Sequence, residues 1–108
     1  MSYIQVCGVP RQVFAEETLV ISTNRVTFNA ANAAGALMVR VRLEGGPVRF
    51  LYLSHPTSTV GTPLYDSDVV EWTGSGAHTE IGALASTGGF IRAASSSADA
   101  ILWVSYYR

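Results

Sequence analysis

The chain has 108 residues, which is enough for one domain with a single hydrophobic core. Its residues are 48% hydrophobic and only 14% charged, whereas soluble domains average about 25% charged. The net charge is −1 and all basic residues are scattered arginines, so the concentrated basic patch of a nucleic-acid-binding protein is missing. We therefore expect part of the surface to face other protein, the alternative being a neutral surface rich in Ser, Thr and Asn.

Membrane and secretory signals are also missing from the sequence. No stretch reaches the roughly 18 apolar residues of a membrane span. Residues 1–5 have neither the basic region nor the long apolar core of a secretory signal. The single cysteine, Cys7, cannot form a disulfide within the chain, which suits folding in a reducing cytoplasm. We predict no membrane partner and no nucleic-acid partner.

The extended N-terminal segment differs from the rest of the chain. Gly8 and Pro10 interrupt the strand-like pattern of residues 3–7, so we predict an extended N-terminal arm over residues 1–17 and a β-sandwich domain over 18–108. The apolar content of the arm favours its being fixed on a neighbouring subunit. Its apolar residues are Tyr3, Ile4, Val6, Val9, Val13 and Phe14.

The clearest strand pattern lies in the middle of the chain. Residues 37–43 and 48–53 alternate with the period of a half-buried strand. The four residues between them include two glycines, so the two runs predict a β-hairpin. Alternatively, the two strands diverge into different sheets and never face each other.

Three arginines lie on the outward positions of this pair of strands. In the hairpin, Arg42 would lie opposite Arg49, with Arg40 two residues along the same face. Like charges directly opposed are destabilising. Carboxylates are therefore expected nearby, either Glu44 and Glu71 from within the chain or acidic residues of a partner.

Further short strands follow at a spacing of roughly ten residues, separated by Gly- and Ser-rich turns. The last strand has large apolar residues on both faces, so it is either central in a sheet or covered by a partner. Residues 29–35 predict a turn or loop rather than a helix. The fold class is all-β: a single antiparallel, jelly-roll-like β-sandwich of about eight short strands. The additional predicted strands are 18–22, 25–29, 68–72, 78–84, 89–94 and 100–107.

Signals for catalysis or metal binding are weak. His55 and His78 are the only imidazoles, and no common nucleophile, zinc or nucleotide motif is present. His78 and Glu80 could form half of a metal site, but a surface pair is the simpler interpretation without a second ligand cluster. Asp66 and Asp68 are expected to cap a turn rather than bind a cation. We predict no enzymatic activity, no cofactor and no metal.

The aromatic residues raise the alternative of carbohydrate binding. Exposed rings on a small β-sandwich can stack on sugars, and the candidates are Trp72, Trp103, Tyr65, Tyr106 and Tyr107. The favoured interpretation is that the two tryptophans fill the core or an oligomer interface, with each indole N–H bound to a carbonyl.

The order of segments from Leu37 to Arg108 resembles that of short structural proteins of tailed bacteriophages. Some of these proteins are jelly-roll decoration, or cement, proteins on the outside of the icosahedral head. The resemblance implies a dimer or trimer that clamps neighbouring subunits of the major capsid protein. It lies in the order of the following segments: Pro47–Leu53, His55–Thr57, Thr59–Gly61, Asp68–Val70, Gly89–Ala93 and Val104–Arg108.

We therefore expect a non-enzymatic virion structural protein, made in the host cytoplasm, that binds and stabilises the major capsid protein shell from its outer surface. The alternative is a carbohydrate-binding or tail-associated β-sandwich module. Besides the apolar residues of the arm, the candidate partner-binding residues are Arg40, Arg42, Arg49, Trp103 and Tyr107.

Overall fold

The computed structural model describes residues 3–6, 9–74 and 79–108, with side chains described for residues 12–74 and 79–108. Strands form most of the ordered elements, and two short helices lie between them. In chain order the elements are β1 (Tyr3–Val6), β2 (Val9–Ile21), α1 (Ala30–Gly35), β3 (Met38–Glu44), β4 (Val48–Leu51), β5 (Thr62–Leu64), β6 (Val69–Thr73), α2 (Glu80–Leu84), β7 (Gly89–Arg92) and β8 (Ala100–Tyr107).

The strands form two antiparallel sheets, which confirms the predicted all-β sandwich. The larger sheet has the strand order β1-β2-β8-β3-β6, and the smaller has the order β5-β4-β7. Strand β8 pairs with β2 on one side and with β3 on the other, so the last strand is central. This position explains why both of its faces have large apolar residues.

The connections give the sandwich its jelly-roll character. Between β2 and β3 the chain passes along the smaller sheet, where Val26 forms a single bridge with Phe90 of β7. The connections β3–β4, β5–β6, β6–β7 and β7–β8 each cross from one sheet to the other. The predicted strand over residues 25–29 is thus reduced to one bridging residue.

The predicted hairpin of β3 and β4 is wrong, and the alternative of divergent strands is confirmed. Strand β3 pairs with β6 and β8, whereas β4 pairs with β5 and β7 in the other sheet. Gly45 and Gly46 turn the chain between the sheets with φ angles of +86° and +101°, which favour glycine. The Gly45 N–H donates to Asp66 Oδ1 at 2.9 Å and fixes this crossing.

The hydrophobic core lies between the two sheets and is rich in aromatic rings. The Phe28 ring lies at its centre, 5.3 Å from the Phe90 ring and 5.9 Å from the rings of both Trp72 and Tyr106, centroid to centroid. These distances and tilted orientations are typical of favourable aromatic pairs. Alternating residues of β3 and β8 complete the core: Val39, Val41, Leu43, Leu102, Val104 and Tyr106.

Strand β2 crosses the predicted boundary between arm and domain. Residues 9–21 form one continuous strand, and the residues from Val13 onward pair with β8. A β-bulge between Val13 and Ala15 interrupts this pairing without ending the strand. Residues 13–17 therefore belong to the larger sheet, and the boundary at residue 17 is corrected.

Two segments predicted to be non-helical form short helices. Helix α1 replaces the loop predicted over residues 29–35, and α2 replaces most of the strand predicted over residues 78–84. The Asn29 side chain caps α1 by accepting from Asn32 N–H at 3.0 Å, and Thr79 caps α2 by accepting from Gly82 N–H at 3.3 Å. Among the described residues, no helix is long and apolar enough to cross a membrane.

Candidate protein-binding face

The face of the larger sheet that points away from the core is named here the outer face. Residues opposite each other in register share a face of a sheet, so the pairing defines its rows. Thr18, Trp103, Arg42 and Val69 form one row across β2, β8, β3 and β6. Glu16, Ser105, Arg40 and Glu71 form the next row.

Trp103 stands at the middle of the outer face and is 43% exposed. On its β3 side is an open groove of about 260 Å³, lined in part by Arg40, Arg42 and Val69. On its β2 side is a groove of about 170 Å³, lined in part by Glu16 and Thr18. The indole is therefore a ridge between two depressions.

Other apolar side chains on this face also meet solvent. Val69 is 47% exposed on β6, and Val20 is 57% exposed on β2, opposite Ile101. Large apolar groups on a rigid sheet, with arginines beside an aromatic ring, match the composition of the centre of a protein interface.

The charges of the outer face are only partly paired within the chain. Arg40 Nε lies 4.0 Å from Glu71 Oε2, so Glu71 supplies one of the expected carboxylates. Within residues 12–74 and 79–108, neither Arg42 nor Glu16 forms a salt bridge. Arg42 lies opposite Val69 and Trp103 rather than opposite Arg49.

Arg49 belongs to a different surface from Arg40 and Arg42. It lies on β4 in the smaller sheet, where its Nη1 donates to the Gly61 carbonyl at 2.8 Å and its Nε to the Ser58 carbonyl at 3.3 Å. Arg49 therefore fastens the loop before β5. The predicted row of three arginines is corrected to a pair.

Tyr107 contributes little to the exposed part of the outer face. Its side chain is only 5% exposed and packs with Met38 and Val13 in a small cluster on the outer side of the sheet. Tyr107 forms part of the lining of the groove beside Trp103. Of the two candidates on β8, Trp103 is thus the one presented to a partner.

The two tryptophans have different environments. Trp72 is 4% exposed in the core, as predicted, but its Nε1 donates to the Tyr52 hydroxyl at 2.8 Å rather than to a carbonyl. A carbohydrate cannot stack on a ring buried in this way. Trp103 is the tryptophan that remains for a partner or a sugar.

The apolar residues predicted to anchor the N-terminal arm fall into two groups. Tyr3, Ile4, Val6 and Val9 lie on strands β1 and β2, but their side chains are outside the described residues. Phe14 is described, and its ring is engaged within the chain: the Arg108 guanidinium carbon lies 4.3 Å from the ring centroid.

The acidic turn before β6 has the capping role expected from the sequence. Asp68 Oδ2 accepts from the Tyr65 N–H at 2.8 Å, and Asp66 Oδ1 accepts from Gly45. In the described part of the chain, no group of three or more His, Cys, Asp or Glu side chains could hold a metal ion. His55 is exposed in the loop after β4, and His78 lies outside the described residues.

One partly buried polar contact was missed by the sequence predictions. The Tyr106 hydroxyl donates to Glu17 Oε2, and the Asn29 N–H donates to the same oxygen at 3.0 Å. Burial, followed by the hydrogen bond and negative charge of Glu17, raises the pKa of Tyr106 well above its usual value. The available signal was the position of Glu17, in phase with the core-facing Leu19 and Ile21.

Comparison of the chain with protein-family models, curated proteins and solved structures finds no significant match. The outer face and the strand order are therefore the features of the chain that bear on its function.

Proposed function

We propose that the chain is a non-enzymatic structural protein that decorates a larger protein shell, binding the major capsid protein on the outer surface of a virion. The main support is the outer face, where Trp103 is exposed on the central strand β8 and Val69 on the edge strand β6. The jelly-roll order of the strands and the resemblance to phage decoration proteins favour a virion capsid as the shell that is bound.

The physical basis of the proposed function is repeated weak contact. A small domain buries only a modest area against one shell subunit, so one contact is weak. Identical contacts repeated by the symmetry of the shell, and linked within an oligomer, add up to stable attachment. A surface with few charges suits this task, because little ionic hydration is lost when it is covered.

The proposal is tested by co-expressing the chain with the major capsid protein of the same genome and sedimenting the assembled shells. We expect the chain to sediment with the shells and to raise their melting temperature. Trp103→Ala should reduce the bound fraction, whereas Tyr65→Ala, which removes an exposed ring at the turn before β6, should not. A chain that stays in the supernatant at all shell concentrations would contradict the proposal.

Carbohydrate binding is the second candidate, favoured by the exposure of Trp103 between two grooves. A sugar stacked on the indole should change its fluorescence, and Trp103→Ala should abolish that change without unfolding the domain. Titration with a panel of glycans separates this activity from shell binding. The same assay identifies a tail-associated receptor-binding module if binding is seen without attachment to shells.

A further inference from the structure

We infer that the outer face binds a second copy of this chain, related by a twofold axis that runs parallel to β8 above Trp103 and Ser105. The inference rests on the proposed function, in which copies linked as an oligomer attach to the shell, and it names the contact that links them. Its main support is the order of charges across the sheet.

The two sides of β8 differ in charge in the rows of Trp103 and Ser105. On the β3 side are Arg40 and Arg42, with Glu71 beyond Arg40 on β6, and on the β2 side are Glu16 and Thr18. Strand β8 contributes no charge between them. Because neighbouring strands are about 4.8 Å apart, the arginines and Glu16 lie at similar distances on opposite sides of β8.

A twofold axis parallel to β8 exchanges these two sides when the faces meet. It places Arg40 against Glu16 of the second copy in the same row, with Arg42 against Thr18 and within one row of that carboxylate. Trp103 then meets Trp103 of the second copy on the axis. Arg42 and Glu16, which form no salt bridge with the side chains described in their own copy, each gain an opposite charge nearby.

A twofold axis in the same plane but perpendicular to the strands would instead bring like charges together. A twofold axis perpendicular to the strands lays β3 on β3 of the second copy, so that Arg40 and Arg42 face the same two arginines. Like charges held together at an interface disfavour that arrangement. The distribution of charge therefore favours a contact between two copies whose twofold axis is parallel to β8 over one whose axis is perpendicular to it.

The shape of the outer face suits this contact. Packed sheets lie about 10 Å apart and nearly aligned, a gap that large side chains fill. The grooves of about 260 and 170 Å³ beside Trp103 provide space for the indole of the second copy when it is offset from the axis. The long Arg40–Glu71 distance of 4.0 Å is compatible with Arg40 donating to Glu16 of the other copy.

The inference is tested by charge reversal and mixing, with mass in solution measured by analytical ultracentrifugation. The wild-type chain should be a dimer, and E16R and the double variant R40E/R42E should each raise the dimer dissociation constant at least about tenfold. An equimolar mixture of the two should form a heterodimer, because opposite charges then face each other at every contact. Unfolded chains cannot give this rescue.

The matched control is E80R, which changes the net charge as E16R does. Glu80 lies on α2, whose residues Ile81 and Leu84 pack into the core between the sheets, so it is not on the outer face. This variant should dimerise as the wild type does. Circular dichroism and the melting temperature of each variant show that the fold is retained.

Three outcomes would overturn the inference: a wild-type chain that is monomeric at millimolar concentration, an E16R chain that dimerises as the wild type does, or a mixture that stays monomeric. The failure of the proposed function is distinct. A monomer that sediments with shells overturns only the twofold contact, whereas a dimer that never binds shells overturns only the decoration role.

Discussion

The hydroxyl of Tyr106 donates a hydrogen bond to the Glu17 carboxylate, joining β8 to β2 on the core side of the larger sheet. The same carboxylate oxygen accepts from the Asn29 N–H, where α1 begins. Two strands and the start of a helix are therefore held by one acceptor. Because Tyr106 is fully buried and lies beside a negative charge, its hydroxyl favours the neutral form.

The stability of the fold should decrease above about pH 10. The pKa of Tyr106 is raised above its ordinary value of 10.0, so the unfolded chain loses this proton first as the pH rises. The stabilisation is therefore complete below pH 10 and is lost above it. Urea unfolding at pH 8 to 11 should show the loss, and Tyr106→Phe should show a shallower decline, by at most about 1.4 kcal/mol per pH unit. Equal slopes for the two proteins would contradict this assignment.

Substitution should separate the roles of the two tryptophans. Trp72→Ala removes a core ring and its hydrogen bond to Tyr52, so we expect a loss of about 3–5 kcal/mol in the free energy of unfolding. Trp103→Ala removes a half-exposed ring and should cost only about 1 kcal/mol, while it weakens self-association. Urea unfolding and sedimentation, applied to both variants, measure the two effects. A large stability loss with Trp103→Ala would mean that its role is in folding.

Truncation should show where the folded sheet begins. Deleting residues 2–8 removes β1 but keeps the pairing of β2 with β8, so the domain should still unfold cooperatively. Deleting residues 2–16 also removes Phe14 and its contact with Arg108, and we expect a further loss of at least about 3 kcal/mol. The comparison requires only thermal or urea unfolding. Equal stability of the two truncations would argue that residues 9–16 are dispensable.

Gly88 should not tolerate a side chain. A Cβ atom at this position would lie 1.8 Å from the Leu51 carbonyl oxygen, which belongs to the backbone of β4 in the smaller sheet. Gly88→Ala should therefore destabilise the fold by roughly 3 kcal/mol or more. Gly35→Ala is the control, because its nearest neighbour would be the Phe14 ring at an ordinary contact distance of 3.6 Å. A similar melting temperature for the two variants would contradict the expected clash.

Local alternation predicted the strands that have one face on the core. Strands β3, β6 and β8 lie within two residues of their predicted bounds, because Val39, Val41 and Leu102 obey the period of a half-buried strand. The same pattern could not show whether β3 pairs with β4. Pairing or divergence across Gly45 and Gly46 depends on how the sheets pack, which is a property of distant segments.

The helices were missed because they are too short to have a strong periodic signal. Helices α1 and α2 have six and five residues, and isolated helices of that length are unstable. Capping by Asn29 and Thr79 and the burial of Ile81 and Leu84 stabilise them instead. The three-residue spacing of Ile81 and Leu84 was the available helical signal.

The outer face could be predicted only in part. The sequence placed Trp103 on the opposite face of the last strand from Leu102 and Val104, which the structure confirms. It could not show that Glu16 and Arg40 lie in one row, because β2 and β3 meet only through β8. Which residues lie side by side across a sheet is set by the register between distant strands. The alternation of residues along one strand shows only which face of that strand each residue is on.

The central position of β8 also constrains how the chain folds. Strands β2 and β3 flank β8, yet both are synthesised well before it, so the larger sheet cannot close until residues 100–107 are available. Pairing across some 80 residues has a high entropic cost and slows folding. During synthesis the unpaired edges of β2 and β3 are exposed to pairing with other chains. We therefore expect chaperones to increase the yield of folded protein from a nascent chain of this topology.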